Sequence, residues 1–288
     1  MSDWTTRRLI EWGRDYVSSL GFENPRLEIE LLLADTLGVS RLELYLDFER
    51  PLSEDDLQAF KRRLLRRKSR EPVQYITGAA AFMLSEFEVT PDVLIPRPET
   101  EALTEVAIEL LKAMSQDAPV VADVGTGSGV IAVTLAQKTT GAEVYATDSS
   151  SAALEVARRN AGRLDVADRV EFLEGSLLGP LEEAGLRGRL DLLVSNPPYI
   201  PSAELENLEP EVRSFEPLCA LDGGEDGLDC LRALAQDGPA FLAPGGALLL
   251  EVGLGQARMI AELLSERLGE VEIRKDYAGR ERIVLGRA

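Results

Sequence analysis

The chain starts with apolar residues that recur at the period of an α-helix. The positions that share this spacing are Leu9, Trp12, Tyr16 and Leu20. Intervals of three or four residues place such side chains on one face of a helix. A second apolar run, Leu27 to Leu37, begins after Pro25 and stops at Gly38. Proline is typical of a helix start and glycine of a helix end, so the pattern predicts two successive helices.

Two more helices are predicted before residue 72. A short helix-like segment lies around Leu42 to Leu46, and a longer helix follows Ser53. The inward-facing apolar residues of the longer helix are Leu57, Phe60 and Leu64. We therefore predict a small helical domain over residues 1–72. Residues 73–98 mix alternating and turn-like stretches, which favour a β-hairpin linker.

From Thr100 onward, segments of strand length alternate with segments of helical period. The predicted strands begin at or near Val120, Ala142, Val170, Leu190, Ala247, Val271 and Arg282. This alternation predicts an α/β fold with a doubly wound sheet. The last two strands lie too close together for a crossover helix, so they should form an antiparallel hairpin around Ala278 to Arg280. Residues 99–288 are expected to form this domain.

Composition excludes several classes of protein. The 288 residues include no His, so His-based triads and His metal sites are excluded. The two cysteines, Cys219 and Cys230, lack metal-ligand spacing and argue against a disulfide framework, so we expect no metal. Met1 to Trp12 lacks the apolar core of a signal peptide, and the best apolar run, Ala240 to Leu250, is too short to cross a bilayer. We expect a cytoplasmic protein without a membrane partner.

Charge is distributed unevenly along the chain. The net charge is −19, yet residues 1–80 contain 13 basic and 14 acidic residues and account for only −1 of it. The acidic remainder would repel a phosphate backbone, which argues against direct binding of nucleic acid. Lys61 to Arg70 is an exception, with seven basic residues in ten. It is either a solvated helix end, which is the commoner case, or a docking patch for an acidic protein surface or ribosomal RNA.

A glycine-rich loop follows the first strand of the α/β region. Val120 to Val124 leads into a loop and then a helical stretch, which is the front of a nucleotide-binding βαβ unit. The loop residues are Gly125, Thr126, Gly127, Ser128 and Gly129. Their G-x-G-x-G spacing differs from the G-x-G-x-x-G fingerprint of dinucleotide sites, which argues against NAD and FAD. Asp148 ends the next strand, where it could accept hydrogen bonds from the hydroxyls of a ribose or cap a helix that begins near Ser151.

A tetrad of unusual chemistry, Asn196-Pro197-Pro198-Tyr199, ends an apolar strand. If the Asn196 side-chain oxygen and the Pro197 carbonyl each accept one hydrogen of a planar NH₂ group, that nitrogen is held against an electrophile. Tyr199 would cover the flat face of the group and exclude water. The tetrad alone could also be a turn that ends a strand.

Together these motifs resemble those of class I S-adenosylmethionine-dependent methyltransferases. Asn196 to Tyr199 is similar to the motif of enzymes that methylate amide or exocyclic amino nitrogens. Three further segments are similar to the PrmC/HemK family: Ile95 to Glu101, Phe215 to Pro217 and Ala220 to Leu228. The resemblance covers nearly the whole chain. It implies a doubly wound, Rossmann-like methyltransferase sheet with an antiparallel last strand, preceded by a small helical domain that docks the substrate.

The resemblance also implies an activity in translation termination. Enzymes of this family methylate N5 of the glutamine in the Gly-Gly-Gln motif of class I peptide chain release factors, with S-adenosyl-L-methionine as cofactor and S-adenosyl-L-homocysteine as product. The implied partner is therefore a release factor. Alternatives are a glutamine in a ribosomal protein, an amino group of a nucleic acid, which the charge disfavours, and a scaffold without turnover, which the intact tetrad disfavours.

The resemblance assigns roles to individual positions. The implied cofactor contacts are Gly125, Thr126, Gly127, Ser128, Gly129, Asp148, Ser176, Leu177 and Asn196. The implied substrate contacts are Asn196, Pro197, Pro198, Tyr199 and Arg97. The implied catalytic residues are Asn196, Pro197 and Tyr199. Arg97 could instead form a salt bridge in the linker. Glu251, at the end of another strand, is either a residue behind the site or only a strand terminus.

Overall fold

The computed structural model describes residues 4–114 and 117–288. The first three residues of the predicted N-terminal domain and residues 115–116 lie outside the described chain. The chain divides into two compact units. A helical unit comprises the chain up to Ala79 together with Glu209–Phe215, and a sheet unit comprises Ala80–Leu208 together with Glu216–Ala288.

The described residues form α-helices, strands and four 3₁₀ helices. The α-helices are α1 (Thr6–Ser19), α2 (Pro25–Leu37), α3 (Arg41–Leu46), α4 (Glu54–Lys68), α5 (Val73–Thr77), α6 (Pro98–Ala113), α7 (Val130–Lys138), α8 (Ser151–Arg163), α9 (Gly179–Glu183), α10 (Pro210–Phe215), α11 (Asp229–Asp237) and α12 (Ala257–Ser265). The strands are β1 (Ala79–Phe82), β2 (Ser85–Glu88), β3 (Val120–Val124), β4 (Glu143–Asp148), β5 (Val170–Glu174), β6 (Leu190–Ser195), β7 (Leu242–Glu251), β8 (Glu270–Lys275) and β9 (Glu281–Arg287). The 3₁₀ helices are Ala167–Arg169, Ser202–Asn207, Leu218–Ala220 and Gly238–Phe241.

The helical unit shows how local sequence sets helix ends. Pro25 opens α2, and Gly38 ends it in the left-handed conformation with φ 63°, as the sequence predicts. Ser53 caps α4 in a reciprocal pair with Asp56, in which each side chain accepts from the backbone N–H of the other residue. Trp12, on the predicted apolar face of α1, remains 45% exposed, and its ring stacks on that of Tyr16.

A buried cation ties α10 into the helical unit. Arg67, on α4, is 5% exposed and pairs with Glu28 at 2.7 Å and with Glu211 at 3.1 Å. Its guanidinium also lies 3.8 Å from the centre of the Phe22 ring. The two carboxylates and the aromatic ring compensate for the water that the guanidinium loses on burial. Thus α10 packs with residues that precede it by more than 140 positions.

The predicted linker is only partly a hairpin. Its first residues form α5, and a left-handed Gly78 with φ 73° ends that helix before β1 and β2 pair. The sequence did not indicate the helix because five residues are too few to show a helical period. Two of its apolar residues, Val73 and Ile76, lie in the core of the helical unit.

The main sheet has seven strands in the order β5-β4-β3-β6-β7-β9-β8. The first five are parallel to one another, whereas β9 is antiparallel to both β7 and β8. The predicted antiparallel hairpin at the C-terminal end is therefore confirmed. β7 starts at Leu242, five residues before the predicted Ala247. The prediction was late because the first half of the strand is partly exposed and contains two glycines.

Apolar residues cover both faces of the sheet. Alternate residues of the central strands face opposite sides, so that Val194 lies in one core cluster with α7 and Leu193 in another with α11 and α12. This arrangement confirms the predicted doubly wound α/β fold with a helical N-terminal region. In such sheets, ligands bind outside the carboxyl ends of the strands.

Candidate active site

A cleft opens at the carboxyl ends of β3, β4, β5 and β6. It encloses about 910 Å³, including the part that is open to solvent. The residues from the sequence analysis that line it are Gly125, Gly127, Asp148, Ser176, Leu177, Asn196, Pro197 and Pro198. Thr126, Ser128 and Gly129 lie behind this lining, within the glycine loop, and Tyr199 follows the lining prolines. The fold thus brings both predicted motifs to one cleft.

The glycine loop needs a backbone that other residues rarely adopt. Gly125, Gly127 and Gly129 have φ values of 77°, 55° and 82°. A Cβ at Gly129 would lie 3.0 Å from the Ala157 side chain. The three glycines therefore let the chain turn sharply between β3 and α7 and approach a ligand closely.

A buried carboxylate supports the loop from behind. Asp123 accepts from the Thr126 hydroxyl at 2.6 Å and from the Ala132 N–H at 3.1 Å. Burial raises its pKa to about 7, although these two hydrogen bonds act in the opposite direction. Because Asp123 is fully enclosed, it stabilises the loop rather than contacting a ligand.

Asp148 links the loop to the end of β4. One carboxylate oxygen accepts from the Gly127 N–H and the other from the Ser150 N–H, each at 2.9 Å. Ser150 caps α8, accepting from the Ala153 N–H, so Asp148 is not the capping residue. The carboxylate is partly exposed and lines the cleft, where its remaining lone pairs are available to hydroxyl donors.

Asn160, which the sequence analysis missed, joins the loop to the hairpin. Its amide nitrogen donates to the Ser128 carbonyl at 2.9 Å and to the Glu88 carbonyl at 3.0 Å. Its oxygen accepts from the Glu88 N–H at 2.7 Å. The side chain is fully buried, so these bonds replace those it would make with water. A polar residue on the buried face of α8 is the only sequence signal for this role.

Leu177 lies in the cleft with a strained backbone. Its φ of 49° is in the left-handed region, which is rare for a residue with a branched side chain. Strain of this kind persists where surrounding structure holds it, often at ligand sites. Ser176 precedes it in the lining.

The tetrad begins with a side chain whose amide is held by α6. The Asn196 nitrogen Nδ2 donates to the Thr100 hydroxyl at 2.9 Å. The Thr100 hydroxyl in turn donates to Glu251 Oε2 at 2.8 Å. Glu251 is fully buried at the end of β7, and burial raises its pKa to about 7. Glu251 is thus a residue behind the site as well as a strand terminus.

Tyr199 reaches the same carboxylate. Its hydroxyl donates to Glu251 Oε1 at 3.3 Å. Burial, and then the neighbouring charge of Glu251, raise the pKa of Tyr199 above its usual value, so the phenol remains neutral. This fixed, neutral ring is suited to covering a planar group and not to removing a proton.

The chain after the tetrad is held by the segment Ala220–Leu228 that the sequence analysis quoted. Ile200 forms a parallel bridge with Asp222, and its carbonyl accepts from the Gly223 N–H at 2.8 Å. Gly227 packs so closely that a Cβ there would lie 2.4 Å from the Tyr199 carbonyl. Gln256 Nε2 donates to the same carbonyl at 2.9 Å.

Arg97 is placed differently from the other predicted site residues. Its Nη2 donates to both carboxylate oxygens of Glu216, at 2.6 and 2.8 Å. Glu216 is 5% exposed, and burial raises its pKa even though Arg97 acts to lower it. Arg97 is not among the residues that line the cleft. The pair joins the chain before α6 to the chain after α10.

The charged residues that line the cleft are both acidic. They are Asp92 and Asp148, and the described lining includes no Lys or Arg. Such a surface favours a ligand with positive charge and disfavours phosphate groups. Within the described chain there is no cluster of three or more His, Cys, Asp or Glu that could hold a metal ion. None of the described helices has the length and apolar character needed to span a bilayer.

Two family models match the chain. The model of the PrmC N-terminal domain matches residues 8–78, and that of the methyltransferase small domain matches residues 102–208. Together they cover most of the helical unit and the strands that carry the glycine loop and the tetrad.

Relatives align over almost the whole chain. A release factor glutamine methyltransferase of Geobacter sulfurreducens is 45% identical over 286 residues, covering 99% of this chain and 97% of the relative. One of Chlorobaculum tepidum is 43% identical and covers 95% of this chain and 94% of the relative. The solved T. thermophilus 16S rRNA N2 G1207 methyltransferase, in complex with AdoMet and guanosine, is 20% identical, with a TM-score of 0.52. It covers 73% of this chain and 49% of that protein, and it shows the fold alone.

Proposed function

We propose that this chain, which belongs to the family of release factor glutamine methyltransferases, methylates the N5 amide nitrogen of a glutamine. The methyl donor is S-adenosylmethionine. The substrate is the glutamine of the Gly-Gly-Gln motif in class I peptide chain release factors. The observation that carries the proposal is the Asn196 amide, which is anchored through its nitrogen and lies in the cleft at the strand ends.

The cleft fits this methyl donor. Glycine backbone at positive φ allows close approach, and Asp148 offers carboxylate oxygens to a ribose. S-adenosylmethionine has no phosphate and carries a positive sulfonium, which agrees with an acidic lining that lacks Lys and Arg. When bound, the cofactor supplies a methyl group and leaves as S-adenosylhomocysteine.

The tetrad then has to make a planar amide react. Asn196 Oδ1 and the Pro197 carbonyl accept the two hydrogens of the glutamine NH₂ and point its nitrogen at the methyl carbon. Bound S-adenosylmethionine would supply the methyl group together with a sulfur leaving group, which would keep the electron pair of the broken carbon–sulfur bond. The amide nitrogen would become cationic on transfer and lose its proton to solvent afterwards. No side chain acts as a strong base, in agreement with a neutral Tyr199.

Positioning supplies most of the rate in this scheme. Two hydrogen bonds to a substrate amide, each worth roughly 4–6 kcal/mol in a dry environment and much less against water, cannot remove its conjugation. Correct orientation of two reacting groups can contribute about 7–11 kcal/mol. We therefore assign Asn196, Pro197 and Tyr199 to orientation and exclusion of water.

Mass spectrometry tests the proposal directly. A purified class I release factor is incubated with this protein and S-adenosylmethionine, and the peptide that contains Gly-Gly-Gln is sequenced. The expected result is one added methyl on that glutamine, formed far more slowly when Asn196→Ala replaces the wild type. If no methyl appears there although the cofactor binds, the proposed substrate is wrong, and ribosomal proteins are tested next.

A further inference from the structure

We propose that Thr100 and Glu251 are positioning residues that determine which end of the Asn196 carboxamide faces the substrate. This inference rests on the proposed function, because it concerns how the substrate NH₂ group is recognised. It assigns a role to two buried residues, Thr100 at 3% exposure and Glu251 at 0%, that do not line the cleft.

The direction of the hydrogen bonds carries the inference. A threonine hydroxyl has one hydrogen, and the hydroxyl oxygen of Thr100 lies 2.8 Å from Glu251 Oε2. Above a pH of about 7 the Glu251 carboxylate is ionised and can only accept, so Thr100 must donate to it. Toward Asn196 the same hydroxyl can then only accept, which requires the NH₂ end of the carboxamide to face Thr100 at 2.9 Å.

The consequence for the cleft follows from the planar amide. With Nδ2 turned to α6, the carboxamide oxygen of Asn196 is left for the cleft. A substrate NH₂ group needs acceptors, and an oxygen there meets that need. If the carboxamide were reversed, two NH₂ groups would face each other, and a buried polar group would be left unpaired.

Glu251 is held in place by two hydrogen bonds. Thr100 on α6 and Tyr199 after β6 donate to its two oxygens. The charge of Arg282 on β9 lowers the pKa of Glu251, and the charge of Glu99 on α6 raises it. Arg282 lies 3.7 Å from Asp276, so its charge is shared with another carboxylate. One acid thereby fixes both the first and the last residue of the tetrad.

The side chain of Thr104 offers a matched control. Thr104 lies one turn after Thr100 on α6 and is also fully buried. Its hydroxyl donates to the Thr100 carbonyl at 2.8 Å and does not contact the tetrad. Thr→Val at either position removes a buried hydroxyl and keeps the shape of the side chain.

The test compares Thr100→Val, Thr100→Ser and Thr104→Val. Methyl transfer to the Gly-Gly-Gln glutamine and the Kd for S-adenosylmethionine are measured for each at pH 8, where Glu251 is ionised, with thermal unfolding as a check. We expect Thr100→Val to lower kcat roughly tenfold to a hundredfold, as misplacement of a reacting group does, while the cofactor Kd changes less than about threefold. Thr100→Ser keeps the hydroxyl and should restore most of the rate, and Thr104→Val should resemble the wild type.

Each outcome decides the question. A kcat of Thr100→Val within about twofold of that of Thr104→Val would overturn the inference, and so would a loss that Thr100→Ser does not restore. If Thr100→Val does not fold, Glu251→Gln gives the same decision, because its amide no longer forces Thr100 to donate. A wild type that methylates no glutamine would instead overturn the proposed function, so the two failures are distinct.

Discussion

The helical unit and the sheet unit treat buried acids in opposite ways. Glu30, 1% exposed in the helical unit, is surrounded by donors from Arg26, Arg41 and Tyr45. Burial alone would raise its pKa, but the bonds from Tyr45, Arg41 and Arg26 outweigh burial and hold the pKa below its usual value. Glu251 is equally buried, yet its donors are two hydroxyls and its pKa is raised to about 7.

The difference distinguishes acids that hold the fold together from acids that serve a site. A buried charge with full ionic compensation stabilises a particular packing arrangement. A buried acid that has no compensating cation lowers the stability of the fold, and natural proteins keep such groups mainly where function requires them. Asp123 and Glu251 both belong to the second kind, and both lie behind the cleft at strand ends.

The largest expected effect comes from breaking compensation in the helical unit. Arg67→Met leaves Glu28 and Glu211 without their buried partner, so the free energy of unfolding should fall by about 3–5 kcal/mol. Chemical denaturation measures this loss. Arg14→Met removes an exposed pair with Asp15 and should cost less than about 1 kcal/mol. Equal losses in the two variants would show that compensation at Arg67 contributes little.

The next largest effect concerns Asn196, the group that the uncompensated acid serves. Asn196→Ala removes an acceptor for the substrate amide and should lower kcat about 10²–10³-fold, the cost of removing one well-placed polar contact at a reacting centre. The affinity for S-adenosylmethionine should weaken only moderately. Asn207→Ala, at the exposed asparagine that ends the 3₁₀ helix Ser202–Asn207, is the control. Near-wild-type kcat in Asn196→Ala would contradict the proposed role.

Glu251 gives a prediction about stability and pH. The folded protein retains the Glu251 proton up to about pH 7, whereas the unfolded chain loses it near the usual value for glutamate. Between these values the folded state binds more protons, so this residue makes stability fall as pH rises. Glu251→Gln should therefore be more stable than the wild type at pH 8, by up to about 3 kcal/mol, with a smaller difference at pH 5. Denaturation at the two pH values measures it, and lower stability at pH 8 would contradict the account.

The smallest expected effect is on the cofactor loop. Asn160→Ala removes the donor that holds the Ser128 carbonyl, so the Kd for S-adenosylmethionine should rise roughly tenfold through a less ordered loop. Isothermal titration measures the affinity. Arg159→Ala removes a neighbouring surface link to Glu88 without touching the loop, and it should leave the Kd within about twofold. If both variants bind alike, Asn160 does not position the loop.

Much of the fold could be predicted from the sequence because its signals are local. The helical spacing of apolar residues, with a proline at the start and a glycine at the end, indicated α2. Runs of apolar residues located the parallel strands. The glycine loop and the tetrad could be located because each is a contiguous motif. The helix α5 was too short to show a period, and β7 was predicted late because its first half is not apolar.

The contacts that complete the site could not be predicted because they join distant positions. Asn196 meets Thr100 across 96 residues of sequence, and Gln256 meets Tyr199 across 57. In the helical unit, Arg67 meets Glu211 across 144 residues, so nothing near α10 indicated that it packs there. Threonine on a helix and arginine in a basic run are common in sequences, and only the fold shows which of them are buried and paired.

The most direct test of the comparison is the rate of methyl transfer by Glu251→Gln at pH 8, with saturating S-adenosylmethionine and a release factor that carries Gly-Gly-Gln. The account predicts that this variant, although more stable than the wild type, transfers methyl groups roughly tenfold more slowly, because the carboxamide of Asn196 is no longer held in one orientation. An unchanged or faster rate would show that the buried acid does not serve the reaction.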